Sequence, residues 1–530
     1  MEERHIASVD LGTSKIALSI AKVVGEDVQV VYYKESPSQG IRNSYVINPH
    51  KVETELRKAV QEAQQELKIR IQQVIVGLPR YEVRQETATA RTTRTDEDAQ
   101  ITESEIRTLK SLALETYPIG DTNKEVIYGA VAQSFSTDDS FNELENDIIG
   151  MAGAELEGNF KVFVGQRRHS INIDNTFNSL GIAISKKYFP PGITARAVLK
   201  NEQMENGVAL LDLGAGVSSV TIFKGKILRY YAAIPFGGNT ITNDIKAECG
   251  ISFELAENLK KAYGACMPNK LANLGEKIIQ INDENGQPNT RIAVKYLSEI
   301  ITARMREIIE ALLYCIQESG YSSEDDLRGG VVITGGGANL VGCAAYIKEL
   351  SGYSVKVAAA RPFFSCEGCA EARDPGAATS MGMILAAKAD HTLNCINMPP
   401  IRKVGRSMVQ APVPSGQPEE TPAPASVQEA PAPAAPQPEP IREAPAPKPV
   451  EETVISPVDP KIAPTDDESG YGGTVFEQKE EEEDGGNRKK TKEPKPKKDY
   501  SQRFVWIKRV GKKIEEGVGS IFDDIKDEEV

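Results

Sequence analysis

Along the first 395 positions, apolar residues recur in two rhythms. IASVDLG and VQVVYYK are nearly continuous apolar or β-branched runs, the mark of strands. VETELRKAVQEAQQEL instead places Val52, Leu56, Ala59, Val60, Ala63 and Leu67 on one helical face, and QQVIVGLP follows as another strand. YLSEIITARMREIIEALLYCIQESG, residues 296–320, predicts a long amphipathic helix with Ile300, Ile301, Met305, Ile308, Ile309, Leu312 and Leu313 toward a core. ITESEIRTLKSLAL opens with Thr102 as an N-cap and Glu105 three residues on, a helix-start signal. Strands and helices alternating with short turns predict an α/β body.

The rhythm then stops. From about 396 to 500 the composition shifts, and within it APVPSGQPEETPAPASVQEAPAPAAPQPEPIREAPAPKP is rich in Pro, Ala and Glu and has almost no large apolar residues. Such a stretch cannot bury enough surface to offset its ordering entropy, so it is expected to be a disordered linker with polyproline character. As a flexible coil, about 100 residues span roughly 50–60 Å. An acidic block, EQKEEEED, and a basic one, RKKTKEPKPKK, close it. Helical rhythm returns in 501–525. Phe504, Trp506, Ile507, Val510, Ile514, Val518, Ile521 and Phe522 fall on one arc of roughly 160°, with Lys508, Arg509, Lys512, Lys513, Glu515 and Glu516 opposite and Val505 as the exception. Gly511, Gly517 and Gly519 weaken this helix in isolation, at about 1 kcal/mol each against alanine, which suits a segment that folds on a surface. A basic amphipathic helix carrying Trp and Phe suits a lipid interface, and its lysines add attraction to anionic lipid. Docking on a protein is the alternative.

Charge narrows the partners. The 530 residues carry a formal net charge of −14, which argues against general nucleic-acid binding. The opening MEERHIASVDLG runs straight from charge into a strand, unlike a signal peptide, and no apolar run has the length of a spanning helix. Seven cysteines, an odd number, point to a reducing, cytoplasmic setting. Cys366 and Cys369 form a lone CxxC, read as ordinary thiols before a metal site.

Two stretches repeat each other: SVDLGTSKIALSIAKVVGEDVQVV, residues 8–31, and LLDLGAGVSSVTIFKGKILRYY, residues 210–231. Each has an apolar strand, Asp-Leu-Gly, small and hydroxyl residues, and a second strand. Such a turn presents backbone N–H groups to a phosphate, with glycine allowing close approach. Asp10 and Asp212 are candidates to face a magnesium ion, directly or through water, and Lys15 to reach a phosphate oxygen. A single hairpin of this kind is commonplace, but two facing ones can clamp one nucleotide. A third element, GGVVITGGGANLVGCAAYIKEL, residues 329–350, runs a buried strand into Gly335, Gly336 and Gly337 and then a helix. It is either an anion-favouring approach to a ligand or a plain strand-to-helix turn. It matches neither GxGxxG nor GxxxxGK[ST].

Two phosphate hairpins in repeated halves, followed by TGGGANL, resemble the actin/Hsp70/sugar-kinase superfamily. With IPFGGNTITNDI, residues 234–245, and AENLKKAYG, residues 256–264, the chain resembles the FtsA family of bacterial cell-division proteins over most of residues 4–390. The resemblance implies an α/β, actin-like two-lobe fold with an inserted small α/β subdomain, then the linker and the amphipathic helix. It divides the chain into a first lobe (1–80, 166–204 and about 366–395), an inserted subdomain (81–165) and a second lobe (205–365). It implies ATP with magnesium. Asp10, Gly12, Thr13, Ser14 and Lys15 would form the first phosphate loop, and Asp212, Gly214, Gly216 and Ser218 the second. Gly335, Gly336 and Gly337 would approach the adenosine, and Glu257 and Lys260 the ribose and base, unless those two are simply a pair on a solvated helix face.

The family also implies partners: the C-terminal tail of the tubulin-like protein FtsZ, copies of the chain itself in filaments, later division proteins through the insertion, and the inner face of the cytoplasmic membrane at the division site. Arg304 and Arg306 are candidates to meet an acidic FtsZ peptide, or are ordinary surface arginines. The second hairpin departs from the common DLGGGTTD: Val217 stands for a threonine and Val220 for the acid. Phosphoryl transfer needs positioned charge and an oriented nucleophile, so the expectation is ATP binding with slow or absent hydrolysis, Asp212 being the candidate catalytic residue. The rival readings are a small-metabolite kinase of the same superfold and an actin-like adaptor of pilus assembly.

Overall fold

Both Asp-Leu-Gly turns join the central strands of a sheet. The computed structural model describes residues 3–270, 276–282 and 288–397. The expected linker and amphipathic helix, with Phe504, Trp506, Ile507, Val510, Lys512, Lys513, Ile514, Val518, Ile521 and Phe522, lie outside the described residues. In the first sheet the strand Glu3–Leu11 pairs antiparallel with Lys15–Val24 and parallel with Gln73–Gly77. Asp27–Pro37 extends one side and Ala183–Tyr188 the other. In the second sheet Val208–Leu213 pairs antiparallel with Ser218–Lys224 and parallel with Val331–Thr334, while Ile227–Ile234 and Val355–Val357 extend the two sides. Apart from the short strand Ser365–Cys366 at the edge of the first, beside Asp27–Pro37, the two sheets have the same strand order. The sequence repeat is therefore a repeat of sheets, and each aspartate lies one residue before the last of its strand. Asp10 pairs across to Ala17, and Asp212 to Ser219.

The strands are apolar on both faces because helices cover both. Pro49–Leu67 buries Val52, Leu56, Ala59, Val60 and Ala63 against the first sheet, with Asn48 capping its start. Val294–Glu318 buries Ile300, Ile301, Met305, Ile308, Ile309 and Leu312 in the second core, while Leu313 is only partly buried. Fully apolar strands are what a sheet covered on both faces requires.

Between the lobes in sequence stands an antiparallel sheet of Arg84–Thr93, Glu155–Gln166 and Glu125–Ser136, with Glu155–Gln166 in the middle. The helix Glu103–Thr116 lays Ile106, Leu109 and Ala113 into its core. Its start has the reciprocal cap: Glu105 N–H donates to the Thr102 hydroxyl at 3.3 Å and Thr102 N–H to the Glu105 carboxylate at 2.8 Å.

A further apolar cluster joins these parts. Phe163 of the inserted sheet lies 4.7 Å from Phe189 and 6.4 Å from Tyr231, centroid to centroid, and Phe189 meets Tyr231 edge-on at 5.2 Å. Leu78, Val208, Leu210 and Val332 complete it. The inserted sheet is therefore fixed at its base to the second lobe. Phe163→Ala is expected to destabilise the chain by about 3–5 kcal/mol, the usual cost of emptying a buried phenylalanine site, read as a loss of Tm.

Candidate functional site

The turns of the two hairpins face each other across a cleft. Gly216 lies so close to Thr13 that a Cβ there would come within 2.7 Å of the Thr13 hydroxyl and methyl. That approach explains why small residues stand in both turns. Asp10, Gly12, Thr13, Ser14 and Lys15 line one wall, and Asp212, Gly214 and Gly216 the opposite one. Gly335, Gly336, Gly337, Glu257 and Lys260 close the far end, and the cleft has a volume of about 980 Å³. That is at the upper end for small-molecule sites. Thirteen residues from four separate stretches of chain are thus brought to one cavity. Ser218 is not among them: it is buried at the start of its strand and its hydroxyl has no hydrogen-bond partner.

The glycine triplet has two distinct jobs. Gly335 has φ of +84°, and a Cβ on it would stand 2.5 Å from Asp212 Oδ1. It lets the chain turn off the strand tight against that carboxylate. Gly336 has nothing within 4 Å of a Cβ, so it presents bare backbone to the cleft. Gly335 N–H also donates to the Pro375 carbonyl at 3.2 Å, which ties the turn to the Asp374-Pro375-Gly376 loop.

Glu257 and Lys260 are more than an exposed helical pair. Lys260 is buried; its ammonium sits 2.7 Å from the Glu257 carboxylate and donates to the Gly238 carbonyl at 2.9 Å and the Thr242 hydroxyl at 2.8 Å. Burial works against the charge of Glu257, but donation from Lys260 and Thr242 outweighs it and holds its carboxyl below the ordinary value. Burial likewise pulls Lys260 down, against the pull of Glu257. The pair braces the helix Phe253–Tyr263 against the start of Gly238–Cys249, directly after the second hairpin.

The residue that sequence reasoning missed is Arg80. It follows the strand Gln73–Gly77, where the chain leaves the first sheet for the inserted one. Its side chain is only 15% exposed. It lies between the two aspartates: Nη1 donates to Asp212, Nη2 stands 3.9 Å from Asp10 Oδ1 and donates to the Thr379 hydroxyl at 3.1 Å. The Tyr231 hydroxyl donates to its carbonyl. Burial opposes its charge, yet Asp212 and Asp10 hold it firmly protonated. The first arginine of RYEVR belongs to no motif, so only the fold could reveal this role. Glu35 was missed for the same reason. It binds Lys15, so Lys15 reaches a phosphate only by exchanging that partner.

Of the two arrangements expected for magnesium, direct or through water, the direct one fails a test of fit here. The space between Asp10 and Asp212 is taken by the Arg80 guanidinium, so direct ligation by the pair does not suit these residues. Arg304 and Arg306 lie away from the cleft and are already paired. Arg304 makes a forked contact with Asp244, 3.0 Å at one arm, and Arg306 donates to Glu310 at 2.9 Å. An acidic peptide would have to displace those carboxylates.

A profile of the family described as Cell division protein FtsA matches residues 209–382. The Cell division protein FtsA of Neisseria meningitidis serogroup B is 26% identical over 388 residues, 73% of this chain and 91% of that protein. That of Streptococcus pneumoniae serotype 2 is 27% identical over 355 residues, 67% of this chain and 75% of that protein. A solved structure described as the PilM-PilN type IV pilus biogenesis complex shares the actin-like fold, with a TM-score of 0.51 and 14% identity over 72% of this chain and 98% of that one. At that identity the likeness concerns the fold alone.

Two outcomes test the site. Gly335→Ala is expected to lose about 1–3 kcal/mol from backbone strain alone, plus the contact with Asp212, while Gly336→Ala keeps the Tm near its original value. Asp10 gives a test of opposite sign. Burial raises its carboxyl above the ordinary value although Arg80 and Lys15 pull the other way. A carboxyl raised in the folded state costs stability above that value and returns it as pH falls through it. Asp10→Asn is therefore expected to raise the Tm at neutral pH and to flatten its dependence on acid.

Proposed function

As a member of the FtsA family of cell division proteins, this chain is, we propose, an actin-like nucleotide-binding adaptor that tethers division filaments to the membrane. The observation that carries the nucleotide part is the pair of facing hairpins, with the glycine triplet closing the same cleft. In this reading ATP lies with its phosphates between the turns at Gly12–Lys15 and Gly214–Gly216. The base end lies toward Gly335–Gly337, Glu257 and Lys260. Backbone N–H groups of both turns and the Arg80 guanidinium supply the donors for phosphate oxygens. Magnesium has no place directly between the carboxylates while Arg80 lies there.

Hydrolysis in this reading is slow or absent. Asp212, the candidate catalytic group, is engaged by Arg80, and Val217 and Val220 offer neither hydroxyl nor carboxylate. The nucleotide then serves to set the angle between lobes rather than to drive chemistry. The lobes are assigned as residues 1–80, 166–204 and about 366–395, and 205–365, with the insertion at 81–165 serving self-association and later division partners. A head-to-tail contact of that kind builds open filaments.

The adaptor role rests on family membership together with the pattern of the tail. Among the described residues no helix is long and apolar enough to cross a membrane. The membrane grip is assigned instead to the basic amphipathic segment 501–525, carried on the Pro/Ala/Glu-rich linker. One end holds the C-terminal tail of FtsZ, the other the cytoplasmic face of the membrane, and the linker sets the reach. A chain that only phosphorylated a metabolite would have no use for such a tail.

Trp506 is the sole tryptophan and reports on the tail without a label. Its emission is expected to shift to the blue when vesicles of anionic lipid are added. The full chain is expected to carry FtsZ filaments to those vesicles in a flotation gradient, and a chain stopped at residue 500 to leave them behind. Equal flotation of both chains, with no spectral shift, would remove the tethering role.

A further inference from the structure

Two carboxylates face each other at the centre of the cleft, and the group between them is a buried arginine. In water such a pair repels both itself and any phosphate brought near it. A cation must stand between, and Arg80 is that cation. Its position is not an accident of a loose side chain. The Tyr231 hydroxyl holds its backbone carbonyl, Thr379 and both aspartates hold its guanidinium, and the chain around it is pinned between two sheets.

The chemistry of the alternatives differs. Magnesium demands near-octahedral oxygen ligands at about 2.0–2.1 Å and loses its water reluctantly. A guanidinium keeps its charge at any working pH, and its planar fork matches carboxylate and phosphate alike. Hydrogen bonds to Asp212 and Thr379 use two of its five N–H donors. The side chain also lines the cleft between the turns, where a ligand would enter.

We propose that Arg80 is the resident cation of this cleft: it neutralises Asp10 and Asp212, contacts the nucleotide phosphates directly, and makes nucleotide binding independent of divalent metal. The inference rests on the nucleotide-binding reading given above and deepens it by assigning the cation and a phosphate-binding residue. It also accounts for the engagement of Asp212, since a carboxylate tied to a guanidinium is not free to position water through a metal.

The test compares the full-length chain with Arg80→Gln and Arg80→Lys, using a fluorescent N-methylanthraniloyl ATP as the probe, in EDTA and in millimolar magnesium. The parent chain is expected to bind within about threefold as tightly in EDTA as in magnesium. Arg80→Gln is expected to lose at least about tenfold in EDTA and to recover in magnesium, because the exposed carboxylate pair can then take the ion. Arg80→Lys is expected to fall between. A parallel measurement needs no nucleotide: magnesium is expected to leave the Tm of the parent chain unchanged and to raise that of Arg80→Gln. Should Arg80→Gln fail to fold, the parent chain and Arg80→Lys still decide. Binding by the parent chain only in magnesium would overturn the inference while leaving the nucleotide reading standing. No binding by any chain in either condition would overturn both.

Discussion

The cleft is organised around one buried electrostatic triad. Asp10 and Asp212 end equivalent strands of the two repeated sheets, and a duplicated fold forces them toward the same point. Two carboxylates at 15% and 14% side-chain exposure cannot face each other uncompensated. The arginine that compensates them comes from neither repeat. It comes from the exit toward the inserted sheet, and its carbonyl accepts from Tyr231, which packs in the aromatic cluster on which the inserted sheet rests.

Much of this was legible in the sequence. The hairpins could be read because the same turn occurs twice, and a phosphate-cradling turn needs glycine and small residues at fixed places. The long helices could be read because Val52 to Ala63 and Ile300 to Leu312 keep a strict period against covered sheets. The Gly335–Gly337 turn could be read as a close approach, and the structure divides the work between a closely packed glycine at positive φ and an open one.

What was not legible has one physical cause: contacts between residues far apart in the chain that follow no spacing. Arg80 reaches Asp212 across 132 positions and Thr379 across 299. Lys15 finds Glu35 on a neighbouring strand. Ser218 keeps the hydroxyl expected of a phosphate loop, yet it is buried at the start of its strand and does not line the cleft. Arg304 lies on the predicted helix, but Asp244, from a separate helix, has already claimed it. Glu257 and Lys260 illustrate the converse: the i,i+3 spacing was visible, while their burial against Thr242 and Gly238 was not.

The most direct test of this account is a crystal structure of the chain with a non-hydrolysable ATP analogue, grown with manganese in place of magnesium and measured at the manganese absorption edge. The account predicts phosphates between the two hairpin turns, within hydrogen-bond reach of the Arg80 guanidinium, and no anomalous peak between Asp10 and Asp212. A manganese peak between those carboxylates, with Arg80 swung out of the cleft, would contradict it.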